Sequence, residues 1–402
     1  MIRNTASGTG EESVLVPTGH DPSSVACVRS LHRRGVNTIV ASESDAVPAS
    51  ASRFCDEKLT TPSPYEDLIA YKESLVGIMA RPDVRTAIPI RPQDTYVFSK
   101  YRDEFDRYGS VVAPPFEMLR AVHDRMLLFD AAEEAGVPVP TTRLLSAVDD
   151  FDSEAIVKSR YNVLADEYVE SYDPAEYRTA KDVMHFGAGE APDRDDVTEE
   201  MGHDPIVQEY VPASDEYVFG ALYDRGEALA TFQHRQIRGD SYTGGGGVYR
   251  ESVDIPELED VGRTLLDHLD WHGLACIEYM EHDETGEFVL TEINPRMWQS
   301  LPSAVTAGAD FPYYYWQQAT GDADLIDAEY DLGVGSHFLY GEFEHLLSIL
   351  RNDSPLVEQP SLSGTTRDIL SSCVAMPYFD YLRPTDPGPF LTGVRQVFTR
   401  SD

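Results

Sequence analysis

Residues 276–296 read CIEYMEHDETGEFVLTEINPR, and the rest of the chain is organised around them. Two strand-like runs, 275–280 and 287–293, flank a polar turn, HDETG, which is the pattern of a β-hairpin. A hairpin centred near Thr285 sets Glu278 directly opposite Glu292. Facing carboxylates repel and destabilise a strand pair. A hard divalent cation such as Mg²⁺, which prefers oxygen ligands, reverses that sign. Asn294 lies two residues past Glu292, so a period of two turns its amide to the same face. Pro295 stops the strand, and Arg296 follows as a cation placed to meet phosphate or carboxylate. Glu278, Glu292 and Asn294 are therefore candidate metal ligands.

Composition bounds what such a site can belong to. With 402 residues, 42% of them apolar, the chain has length for a large core and two or three subdomains. No apolar run approaches the roughly 18 residues of a membrane span. The first residues, MIRNTASGTGEES, have no apolar signal core, so a cytoplasmic protein with no membrane partner is expected. The formal charge is −38, with acids spread along the chain and 27 Arg against 5 Lys. That is the surface expected of a halophile, where charge is screened because the Debye length falls to about 3 Å at 1 M salt. It excludes nucleic acid as a partner. Cys27, Cys55, Cys276 and Cys373 lie far apart without metal-ligand spacing and read as free thiols.

In chain order, residues 13–17 (SVLVP) form a strand, and a helix starts with Asp21 at its N-cap and Pro22 at its first position, ending at Gly35. Strand 38–41, helix 65–80, strand 85–90, helix 94–108 and strand 111–113 continue the alternation, a small parallel α/β domain. Gly19, His20 and Arg91 are candidates for one wall of a substrate cleft at the strand ends. Pro114 and Pro115 break the pattern. Asp124 caps the next helix, which ends at Gly136. Strand 154–158 (EAIVK) carries Lys158 out of an apolar run, where an ammonium needs a counter-charge such as phosphate. Residues 159–205 are polar and irregular, a mobile lid holding Lys181. Strands 205–212, 215–223 and 227–237 follow, the last carrying FQHRQIR, so that Arg235 and Arg238 are expected near one another. Four glycines, 244–247, offer backbone N–H groups to an anion, or serve as a lid or linker.

The order of these features resembles the ATP-grasp superfamily, in its carboxylate–amine ligase branch, over about residues 13–320. GVPVPTT at 136–142, IVK ending at Lys158, QEYVP at 208–212 and EINPR at 292–296 carry the resemblance. It implies an α/β (α+β) protein: an N-terminal parallel α/β pre-ATP-grasp domain, then a two-lobed ATP-grasp fold. Expected limits are 1–115 for the first domain, 116–205 for the linker helix and small lobe, 206–320 for the catalytic lobe and 321–402 for an extension. The resemblance gives ATP as nucleotide and Mg²⁺, with Mn²⁺ as an option, as metal. Lys158 would contact the α-phosphate and Arg125 would stand where the family has an earlier lysine. Glu209 with the backbone of Tyr210 and Val211 would hold adenine, and Glu216 the ribose. Arg296, with Arg235 or Arg238, would steady an acyl phosphate. One departure is plain: no glycine follows Lys158, so Lys181 or the 244–247 run would have to close over the phosphates.

The implied reaction is ATP-dependent joining of a small-molecule carboxylate to an amine through an acyl phosphate, releasing ADP and phosphate, with a homodimer as one possible assembly. Alternatives are a carboxylase of the biotin-carboxylase or purine type and a non-catalytic nucleotide-binding module.

Overall fold

The computed structural model describes residues 12–180, 183–351 and 357–399. The first unit alternates β1 (Ser13–Pro17), α1 (Pro22–Arg33), β2 (Asn37–Ser42), β3 (Glu57–Thr60), α2 (Leu68–Met79), β4 (Val84–Ala87), α3 (Pro92–Lys100) and α4 (Arg102–Phe105). Its sheet is parallel with order β3-β2-β1-β4. β1 is buried along its whole length, as a strand covered on both faces by helices must be. β3, with sequence EKLT, is an edge strand too polar and short to announce itself, and the sequence reading missed it. Residues 111–113 form no strand. Arg102 donates to the carbonyls of Val111 and Ala113, and the hydroxyl of Tyr315 accepts from the Val112 N–H at 2.9 Å. Side chains thus satisfy the backbone that a sheet would otherwise pair.

Two helices cross to the next unit, α5 (Phe116–His123) and α6 (Arg125–Ala135). Asp124 caps α6 through the Met126 N–H at 3.1 Å, and Gly136 closes it at φ 76°. β5 (Thr142–Leu144), β6 (Ala155–Lys158), β7 (Val163–Leu164), β8 (Arg178–Thr179), β9 (Val183–Phe186), α7 (Arg194–Met201) and β10 (Ile206–Glu209) come next. Four of these strands make a small antiparallel sheet of order β5-β10-β6-β9. Residues 159–205 do not form one lid. Val163, Ala165 and Tyr177 join the core of the first unit, and Asp166 receives Lys100 at 2.7 Å. Only the later part, with β9 and α7, belongs to the small sheet. Lys181 lies outside the described residues.

β11 (Ala213–Asp224), β12 (Glu227–Ser241), β13 (Gly244–Val253), α8 (Pro256–His268), β14 (Gly273–His282) and β15 (Phe288–Asn294) build the large antiparallel sheet. α9 (Leu301–Thr306), α10 (Phe311–Thr320), β16 (Gly335–His337), α11 (Leu339–Arg351), α12 (Leu362–Ala375) and α13 (Gly388–Thr399) complete the chain. The order is β15-β14-β11-β12-β13-β16, so the C-terminal region supplies an edge strand. One face of this sheet packs through Tyr217, Phe219, Ile277 and Tyr279 against α6 and α8. The other carries Val218, Phe232, Leu274 and Cys276 against the first unit, α9 and α10. The region after α12 is tied in by buried ion pairs, Arg29 with Asp386 and Arg250 with Asp380, both at 2.8 Å. Among the described residues no helix is long and apolar enough to cross a membrane.

Candidate active site

The hairpin of β14 and β15 pairs Glu278 with Glu292 and Cys276 with Asn294. Directly paired residues share a face, so the carboxylates meet and Asn294 stands beside them. The Asn294 amide nitrogen donates to Glu292 Oε1 at 2.6 Å and lies 3.4 Å from Glu278 Oε1, tying the three side chains together. Arg296 holds Asn294 Oδ1 at 3.3 Å and the carbonyl of Met297 at 3.2 Å, while its buried Nε has no partner among the described residues.

Two further cations converge on Glu292. Arg125, the first residue of α6 and only 7% exposed, donates to the Ser159 carbonyl at 2.8 Å and to Glu292 Oε2 at 3.1 Å. Lys158, at the end of β6, is buried within 5.9 Å of the Phe129 ring centroid. Burial opposes ionisation of Glu292, but Arg125 first, then Asn294, Lys158 and Arg296, hold it down to about 2. Lys158 moves to about 7, because burial and repulsion by Arg125 outweigh attraction to Glu292 and Glu278. The lysine is thus short of negative charge, a deficit that a phosphate would remove.

The donor set fits a hard divalent ion. Two carboxylates and an amide oxygen leave coordination positions for phosphate oxygens and water, which is how Mg²⁺ is commonly held. Among the described residues no group of three or more His, Cys, Asp or Glu side chains could hold a metal, so a metal here would need that amide as a ligand.

The residues expected to meet a nucleotide, Glu209, Tyr210, Val211 and Glu216, lie where the small sheet passes into the large one. β10 ends at Glu209, and Tyr210 and Val211 lead directly to β11. The Glu209 side chain accepts from the Thr141 N–H at 2.9 Å, and the Tyr210 N–H donates to the Glu154 carbonyl at 3.2 Å. Glu216 on β11 pairs with Met280 of β14, which places it on the face of Glu278. Burial raises its carboxyl to about 7 despite a hydrogen bond from Gln236. Gln236, which the sequence reading passed over, also donates to the Gly245 carbonyl at 2.9 Å. It lies two residues from His234 in the same alternation, the only signal for it.

Three expectations are corrected. Arg235 pairs with Tyr217, which pairs with Tyr279, so it projects from the face opposite Glu278 and binds Asp215 at 2.8 Å. Arg238, beyond a register shift after Gln236, is committed to Glu342 at 2.7 Å. Neither is brought to Arg296. The glycines 244–247 are the start of β13 in a tight hairpin with β12, with Ser241 paired to Gly244, rather than a free loop. A Cβ at Gly245 would lie 2.1 Å from Asp240 and one at Gly246 2.9 Å from Gln299, so close approach of neighbours explains the run.

No family model matches the sequence. The large chain of carbamoyl phosphate synthase from Methanothermobacter thermautotrophicus is 23% identical over 319 residues, which is 75% of this chain and 28% of that protein. The chain therefore spans little more than a quarter of that relative's length. Among solved structures, the biotin carboxylase domain of Hydrogenobacter thermophilus 2-oxoglutarate carboxylase, in complex with MgADP, ADP and bicarbonate, superposes with a TM-score of 0.60 at 14% identity, covering 80% of this chain and 72% of that one. N5-carboxyaminoimidazole ribonucleotide synthetase from Thermotoga maritima gives 0.54 at 15% identity, covering 81% and 79%. L-amino acid ligase from Bacillus licheniformis gives 0.56 at 11% identity, covering 77% and 76%. The chain has the ATP-grasp fold: a parallel α/β unit followed by a small and a large antiparallel sheet.

Proposed function

We propose that this chain is an ADP-forming ligase that joins a small-molecule carboxylate to an amine, with ATP and Mg²⁺. The observation that carries the reading is the convergence of Arg125, Lys158 and Arg296 on the facing pair Glu278 and Glu292. A bound Mg²⁺ would supply positive charge against the phosphates as the γ-phosphoryl moves. Glu278, Glu292 and Asn294 would hold it. Lys158 and Arg125 would take the remaining phosphate charge, and Glu216, once ionised, would accept from the ribose hydroxyls. Glu209, Tyr210 and Val211 would border the adenine. Transfer of the γ-phosphoryl to the substrate carboxylate gives an acyl phosphate. Attack by the amine forms the amide and expels phosphate, while Arg296 stabilises the charge on the acyl group. Positioning and electrostatics carry the rate.

The same reading takes in Mn²⁺ as a substitute metal, a homodimer, a cytoplasmic setting with a salt-adapted surface, and domain limits at 1–115, 116–205, 206–320 and 321–402. The test is ADP release across a panel of carboxylates and amines in KCl with Mg²⁺. Release that needs one member of each class supports the ligase. Release driven by bicarbonate alone would make the chain a carboxylase, and ATP binding without ADP release under every condition would make it a nucleotide-binding module.

A further inference from the structure

Resting on the ATP-dependent ligase reading, we propose that Gln236 is a positioning residue: its amide aims the Glu216 carboxylate at the nucleotide ribose, and the glycine hairpin between β12 and β13 fixes that amide. Both side chains are partly exposed, so a ligand can reach them. They are direct partners across β11 and β12, on the sheet face that carries Glu278.

The amide is held through both of its hydrogens. Its nitrogen donates to Glu216 Oε2 and to the Gly245 carbonyl, the latter at 2.9 Å. Turning it over would set its oxygen against a carboxylate and a carbonyl, neither of which can donate, so its orientation is determined. Gly247 stands against its other end: a Cβ there would lie 2.6 Å from Gln236 Oε1. A Cβ at Gly244 would lie 3.5 Å from Glu216 Oε1, and one at Gly246 2.9 Å from the side chain of Gln299, which follows Arg296 closely in the chain. Without side chains of its own, the hairpin backbone lies directly on Gln236, Glu216 and Gln299.

The hairpin is itself anchored by α11. His345 Nδ1 donates to the Gly239 carbonyl at 2.9 Å, Ser348 Oγ accepts from the Tyr242 N–H at 3.0 Å, and Glu342 holds Arg238 at 2.7 Å. Register shifts interrupt the β12–β13 ladder between Gln236 and Ser241, so these contacts, more than the ladder, fix that end of the sheet. A chain of hydrogen bonds thus runs from the C-terminal region through the hairpin and Gln236 to Glu216. Gln236 also has an electrostatic task. Burial above all, and then Asp240 and Asp215, disfavour the ionised form of Glu216, and the hydrogen bond from Gln236 opposes them. An ionised carboxylate only accepts, and its remaining lone pairs suit the two hydroxyls of a ribose.

The experiment is calorimetry on the full chain, on Gln236→Ala and on Gly247→Ala, with Mg²⁺ and either ATP or 2′,3′-dideoxy-ATP, which lacks both ribose hydroxyls. Gln236 is partly exposed, and alanine at Gly247 displaces only the end of the Gln236 side chain, so both variants should fold. The parent chain should bind ATP at least about tenfold tighter than the dideoxy nucleotide, the worth of charge-assisted hydrogen bonds. Gln236→Ala should lose most of that ratio, its Kd for ATP rising while its Kd for dideoxy-ATP stays the same, and Gly247→Ala should move the same way. An unchanged ratio in Gln236→Ala, with both nucleotides weakened equally or not at all, overturns the positioning role and leaves the nucleotide site intact. An unchanged ratio in Gly247→Ala alone overturns the part given to the hairpin. A parent chain that binds the two nucleotides equally removes Glu216 from the ribose, and the proposal with it. A parent chain that binds neither overturns the ligase reading itself.

Discussion

Arg125 and Glu292 offer the most quantitative test of how the site is held together. Glu292 is held at about 2 against an ordinary 4.5. At about 1.36 kcal/mol per unit, that displacement corresponds to at most about 3.4 kcal/mol. The side chain of Glu292 is 27% exposed, and Asn294, Lys158 and Arg296 share in holding it down, so the part owed to Arg125 is about 1–2 kcal/mol. The sign is that of a depressed carboxylate. The contribution is complete above pH 4.5 and is lost only as pH falls through about 2. A measurement at pH 7 therefore captures all of it. A double-mutant cycle of Arg125→Met, Glu292→Gln and the pair, followed by urea unfolding at fixed KCl, should return a coupling energy of about 1–2 kcal/mol. A coupling below about 0.3 kcal/mol, the error of additivity, would refute the ion pair as the link between α6 and the β14–β15 hairpin.

Lys158→Met should raise the KM for ATP at least about tenfold while leaving stability unchanged or higher, since the buried ammonium loses a charge-assisted contact only when phosphate is present; an unchanged KM would remove it from the phosphate site. Glu216, raised from 4.5 to about 7, makes the folded state bind extra proton between those values, so its cost to stability grows as pH rises through that window. Glu216→Gln does not titrate, and thermal unfolding should show the variant gaining about 1–3 kcal/mol on the parent chain between pH 5 and pH 8, with weaker ATP binding; a pH-independent difference would contradict it. With a formal charge of −38, the melting temperature should climb steeply with KCl, and a flat response would reject the salt-adapted surface.

What the sequence could and could not reveal follows from the range of the forces involved. The facing of Glu278 and Glu292 was legible because a short turn and a period of two determine a hairpin locally. The alternation of β1, α1 and β2 was legible because both capping residues and apolar runs are local too. Arg235 and Arg238 were misjudged because the register shift between Gln236 and Arg238 leaves no mark in the sequence, and strand parity puts Arg235 on the far face. Residues 111–113 looked like a strand because they are apolar, but their hydrogen bonds go to Arg102 and Tyr315, distant partners no local pattern encodes.

Binding of ATP by calorimetry, with and without Mg²⁺, in the parent chain and in Glu292→Ala, tests most directly whether the hairpin of residues 276–296 is the metal end of a nucleotide site. The expected result is tight binding that depends on Mg²⁺ in the parent chain and is weakened at least about tenfold in the variant, with the fold retained. Equal affinity in the two proteins, or affinity indifferent to Mg²⁺, would contradict it.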